Sequence, residues 1–173
     1  MSTTTPAGGI IGETVIVDET GQGLFQLQVK AGSSTFTVDE PASVGGKGSG
    51  PNPYDLLSAA IGSCTLMTMR LYAKRKGLPL ESARVKVTHR RDGADSPDVF
   101  HREIELNGPL DHDQRAKLLE IADKCPIHRT LERGSKMETM LVLASTFQDV
   151  AATDGAHMRD MNEVCDELGD KTG

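Results

Sequence analysis

Two cysteines hold most of the chemistry this sequence offers. Cys125 immediately precedes Pro126 at the start of an expected helix, with Lys124, His128 and Arg129 close by in sequence. Sulfur chemistry needs the thiolate, which a cation or a helix N-terminus stabilises, and Cys125 has both within local reach. Cys64 lies deep inside an apolar helical stretch, flanked by Gly62, Ser63, Thr65 and Thr68. A lone cysteine in such a place is ordinarily a core residue. The small residues Ala59, Ala60, Gly62 and Ser63 nevertheless clear space around its thiol for a ligand or another backbone. Local electrostatics nominate Cys125. Thiol-dependent hydrolysis would also need a histidine poised on Cys64, and the sequence places none. Cys165 falls in a polar tail and is read as a bystander.

The elements that must position these residues follow from punctuation and periodicity. Residues 12–18, 24–30 and 33–38 are short, β-branched and separated by glycines, which predicts a three-stranded meander. A glycine-rich loop over 39–51 follows. Asn52 as cap, Pro53 in the first turn and Asp55 three residues past the cap start a long helix that stops at Gly77 with Pro79 beyond. Its apolar residues occupy nearly every face, so it needs cover from other elements or a second subunit. Alternation predicts a hairpin over 83–90 and 99–106, in which His89 and His101 are ordinary strand residues. Helices over 111–124 and 127–133 and a final strand over 137–146 complete the expected domain, residues 1–147. Residues 148–173 form a tail that either docks as a helix or frays.

Composition narrows the class. The chain has 173 residues, enough for one substantial core, and a formal net charge of -6. Binding of polyanions needs clustered Lys and Arg, so nucleic acid is not an expected partner. Residues 56–73 approach the length of a membrane span but are interrupted by Arg70 and several polar residues, and read as a buried helix. With no signal peptide visible and three widely spaced cysteines, a cytoplasmic protein with reduced thiols is expected. The single Cys125-x-x-His128 pair has no second half, so neither a metal nor a bound cofactor is expected.

Three stretches carry a family resemblance: Gly50-Pro51-Asn52-Pro53-Tyr54-Asp55-Leu56-Leu57, Ala59-Ala60-Ile61-Gly62-Ser63-Cys64-Thr65 and Lys124-Cys125-Pro126. The run from Arg70 to Glu81 continues it, and over about residues 12–146 the chain resembles the OsmC/Ohr proteins (osmotically induced protein C and organic hydroperoxide resistance protein). The resemblance implies an α+β, OsmC-like fold: antiparallel sheets around a long central helix in an interlocked homodimer. It also implies reduction of organic or other hydroperoxides. Cys64 would attack the O–O bond, Cys125 would resolve the sulfenic acid to a disulfide, and a thiol or dithiol reductant such as a lipoylated protein would reset the pair.

The chain departs from that family's pattern in two places. No Arg precedes Arg70, and Tyr54 stands where the family has a Glu after Asn-Pro. The cation that activates Cys64 must then come from elsewhere, with Arg129 first, then His128 and Lys47, as candidates. Tyr54, Asp55 and His128 are candidate substrate-binding residues; Asp55 also suits a helix cap. The competing class is an OsmC-like small-molecule-binding or stress-associated module with little peroxidase activity.

Overall fold

The computed structural model describes residues 14–141 and 156–169. The described residues divide into two compact units, one built of residues 14–50 and one of residues 51–140 with 157–169. The fold is α+β, with two small antiparallel sheets.

In the first unit the meander expected from the sequence is present as β1 (Val15–Glu19), β2 (Leu27–Ala31) and β3 (Ser34–Val38), paired in that order. The register sets Val17 opposite Val29 and Val29 opposite Phe36. Val29 and Val38 are buried, while Val15 and Val17 remain about half exposed. The glycine-rich loop is clasped by the buried Asp39 carboxylate, which accepts from the Lys47 and Ser49 amides at 3.0 and 3.2 Å and from the Ser49 hydroxyl at 2.8 Å.

The second unit is built around α1 (Pro53–Lys76). Asn52 and Asp55 close a reciprocal capping box, and Gly77 ends the helix at φ 63°, a left-handed conformation that glycine adopts without strain. The helix packs on the hairpin of β4 (Ser82–Arg90) and β5 (Val99–Asn107) and on α2 (His112–Ala122), which has its own capping box from Asp111 and Gln114. α3 (Pro126–Arg133) follows, capped by Cys125.

The space expected around Cys64 is used by the sheet. A Cβ at Gly62 would lie 3.3 Å from Val87 Cγ2, so the glycine permits close approach of β4 to α1, whereas Ala59 and Ser63 face outward. Although α1 has the length and apolarity of a membrane span, its Ile61, Cys64, Thr65, Thr68, Met69, Tyr72 and Ala73 are buried within this unit.

The tail contributes α4 (Ala156–Gly169). Met161, Val164 and Cys165 are buried, and the last two join Met69, Tyr72, Leu118 and Ile121 in one core cluster. Full burial of a branched side chain such as Leu118 or Ile121 contributes about 2 kcal/mol each. Arg75 fixes the helix from outside, donating to Asn162 Oδ1 and Asp166 Oδ1 at 2.6 Å each. The strand expected over 137–146 is not formed at residues 137–141, where Met137, Met140 and Leu141 are exposed; the remainder lies outside the described residues. A strand needs a partner edge, and among the described residues this segment has none.

Candidate active site

Cys64 and Cys125 meet. Position 64 lies in the middle of α1, whose buried stripe faces inward, and position 125 caps α3; each residue is no more than 1% exposed. Both sulfurs lie against the first turn of α3, and each takes a backbone amide from it. Ile127 N–H donates to Cys64 Sγ, and His128 N–H to Cys125 Sγ, both at 3.4 Å. A cysteine thus occupies the position where Ser, Thr or Asp usually caps a helix, and the amides that would otherwise be unpaired point at sulfur.

The charge within the pair is divided unequally. Cys125 is drawn down to about 6, first by the hydrogen bond from Cys64 and then by the His128 amide, the Thr65 hydroxyl and the charge of Arg102, which together outweigh burial. The same thiol-to-thiol bond, with burial, holds Cys64 well above the ordinary thiol range, against the Ile127 amide. Within this buried pair Cys125 is therefore the more acidic thiol.

A cation beside Cys125 comes from β5. Arg102, with its side chain 11% exposed, donates from Nη1 to Thr65 Oγ1 and to the Ala122 carbonyl, both at 2.9 Å. From Nη2 it donates to Asp123 Oδ1 at 2.6 Å and to His128 Nδ1 at 3.1 Å. Thr65 Oγ1 lies 3.7 Å from Cys125 Sγ, so the guanidinium stands one residue behind the thiolate. Sequence reasoning missed Arg102, but a signal was there: it shares the half-buried face of β5 with Phe100, Ile104 and Leu106, where an arginine must have a partner.

The residues nominated from sequence divide. Arg129, first choice for the activating cation, reaches Glu167 at 3.6 Å on α4 instead of a sulfur. His128 accepts from Arg102 at Nδ1 and so presents its Nε2 proton to Glu132 at 3.0 Å, which makes the ring a neutral bridge in this arrangement. Its contribution to Cys125 is the backbone amide. Asp55 is engaged in the capping box through both its amide and its carboxylate. Lys47 belongs to the loop of the other unit.

Tyr54 lines a cavity of about 540 Å³ together with Leu57, Ile61, Phe100, Arg102 and His128. Its ring stacks on His89 at 4.2 Å and its hydroxyl accepts from Arg91 at 2.7 Å. His89 is set opposite Phe100 in the hairpin, not opposite His101.

A second residue outside the sequence reading touches the pair. His157, in the first turn of α4, places Nε2 3.3 Å from Cys64 Sγ. Cys165, on the same helix, is a core residue whose thiol burial pushes up. Among the described residues no group of three or more His, Cys, Asp or Glu is arranged to hold a metal ion.

Comparison with known proteins bears on the fold around this pair. The family model described as OsmC-like protein matches residues 46–140, which include both cysteines and Arg102. No curated protein matches the chain by sequence. Among solved structures, an osmotic stress and detoxification response protein from Psychrobacter arcticus superposes with a TM-score of 0.61 at 21% identity, over 70% of this chain and 90% of its own. An organic hydroperoxide resistance protein OsmC from Legionella pneumophila gives 0.55 at 17% identity, covering 72% and 91%. The organic hydroperoxide resistance protein of Bacillus subtilis gives 0.51 at 19%, covering 70% and 91%. At these identities the likeness is one of fold.

Proposed function

The chain belongs to the OsmC-like protein family, and from that premise we propose that it reduces organic hydroperoxides with the Cys64–Cys125 pair. The observation that carries the proposal is the convergence of two buried cysteine sulfurs on neighbouring backbone amides at one helix N-terminus. Cys64 is the attacking sulfur and Cys125 the resolving one. When Cys64 attacks the O–O bond, that bond breaks, an S–O bond forms, and the alcohol leaves. Cys125, already the more acidic thiol, then attacks the Cys64 sulfenic acid; water leaves and the disulfide closes.

The low value at Cys125 also suits the return step. An external thiol attacking the disulfide at Cys64 expels the better leaving group, and a dithiol reductant such as a lipoylated protein completes the reset. Tyr54, Leu57, Ile61 and Phe100 give the neighbouring cavity an apolar wall suited to the alkyl part of the substrate, with Arg102 and His128 on its polar side. A reducing compartment such as the cytoplasm supplies the thiols this cycle consumes.

Excess cumene hydroperoxide is expected to convert the protein to a Cys64–Cys125 disulfide, read by peptide mass spectrometry, with Cys165 still reduced. Both thiols remaining free would remove the proposal. The competing reading, a binding module, is favoured by the near-complete burial of both sulfurs. It predicts iodoacetamide labelling no faster than that of free cysteine.

The active unit is a homodimer in this reading. Met67 on α1, Val15 and Val17 on β1, and Met137, Met140 and Leu141 are all exposed apolar residues that a second copy would cover. Sedimentation at micromolar concentration is expected to give the mass of two chains, and a monomer there would sink the assignment.

A further inference from the structure

The acidic Cys125 leaves the attacking sulfur without an evident source of activation, since Cys64 is itself held protonated by its partner and by burial. One side chain touches Cys64 from the other direction. His157 Nε2 lies 3.3 Å from Cys64 Sγ, within reach of a hydrogen bond to sulfur, and it comes from a stretch of chain that the family model does not cover. We propose that His157 is a catalytic residue of the peroxide reaction: it is the proton acceptor for Cys64, delivered by the C-terminal helix. This rests on the hydroperoxide reading above.

The contact is held firmly. Met161, Val164 and Cys165 are buried one to two turns beyond His157, and Arg75 and Arg129 pair with Asp166 and Glu167 on the outer face of α4. The imidazole belongs to the first turn of a 14-residue helix, so its backbone is fixed by the buried residues that follow it. Cys64 Sγ thus lies between the Ile127 amide at the start of α3 and the imidazole at the start of α4. Both partners favour negative charge on Cys64 as it begins to attack.

The step balances with groups already named. Nε2 accepts the Cys64 proton as sulfur bonds to the distal peroxide oxygen. The O–O bond breaks, sulfur is oxidised by two electrons to the sulfenic acid, and the imidazolium returns its proton to the departing alkoxide, which leaves as the alcohol. A Cys–His pair also suits acyl transfer. The neighbouring Cys125 argues for peroxide here, because it gives a sulfenic acid an immediate partner and has no task in hydrolysis of an acyl-enzyme.

The test uses full-length protein in the Cys125→Ser background, where the sulfenic acid on Cys64 persists and dimedone traps it. Its rate of formation with cumene hydroperoxide is compared among His157, His157→Gln and His157→Ala, with circular dichroism and the unfolding midpoint as checks on folding. Glutamine can still hydrogen-bond sulfur but cannot take its proton. Both substitutions are expected to slow trapping by about 10²-fold; a His157→Gln rate equal to that of the histidine form overturns the inference. If the histidine form itself does not react with peroxide, the hydroperoxide reading fails separately, and iodoacetamide labelling of Cys64 then decides. Labelling about tenfold slower in His157→Gln supports the proton acceptor, and an unchanged rate overturns it. Should both variants unfold, the same labelling is read in the histidine form: Cys64 alkylating faster than free cysteine supports the proposal, and slower overturns it.

Discussion

Cys64→Ser is expected to consume cumene hydroperoxide at least ~10³-fold more slowly than the wild type, whereas Cys125→Ser is expected to complete one attack and stop. The two variants differ because the cysteines are placed for different steps. Cys64 lies between two groups that accept its proton or its charge, the His157 imidazole and the Ile127 amide. Cys125 is the more acidic thiol and is poised for the attack on the sulfenic acid that follows. In Cys125→Ser a dimedone adduct should appear on Cys64 in an amount equal to the protein, and turnover with a dithiol should cease. A dimedone adduct on Cys125 in Cys64→Ser, formed at the wild-type rate, would reverse the roles.

The charge of the pair gives the same experiment a pH dependence. A thiol lowered to about 6 is half ionised near that pH, so labelling of Cys125 by iodoacetamide in the wild type should rise through pH 6 and level off below pH 8. Cys64→Ala removes the largest cause of that lowering. The midpoint should then move upward toward the ordinary thiol value, and labelling at pH 7 should fall. A midpoint unchanged in Cys64→Ala would mean that the amide, the hydroxyl and Arg102 suffice without the second thiol.

Much of the scaffold was legible because local signals and burial agreed. The capping residues Asn52, Asp55 and Asp111 mark helix starts in the sequence as they do in the structure, and alternation along β4 and β5 is the burial pattern itself. The meeting of Cys64 with Cys125 was implied by resemblance alone, since nothing within the 60 intervening positions dictates it. The sequence put Arg129 first as the cation for Cys64, and the direction its side chain takes has a physical source. Arg129 is one turn from Cys125 along α3, but a side chain on a helix surface is directed by what packs beside it, and α4 offers Glu167. Arg102 was recoverable, as the one charged residue in phase with Phe100, Ile104 and Leu106 on the inner face of β5. His157 was not: it lies 93 positions from Cys64, and only the docking of α4 brings the two together.

Arg102 is where stability and reactivity are joined, and Arg102→Ala should lower both. The guanidinium serves Thr65, the Ala122 carbonyl, Asp123 and His128 at once. Truncation leaves the carbonyl and an imidazole nitrogen without donors in a mostly buried place, which costs about 3 kcal/mol, measurable as a lower urea midpoint at unchanged slope. It also withdraws a positive charge that lowers Cys125, so the midpoint of iodoacetamide labelling should rise. Arg102→Lys separates the two effects. A lysine keeps a charge near Thr65 but is a point donor without the planar fork, so it should retain most of the acidity of Cys125 while still losing stability. Lysine and alanine raising the labelling midpoint equally would mean that hydrogen bonding through Thr65, and not charge, carries the influence of Arg102 on the thiolate.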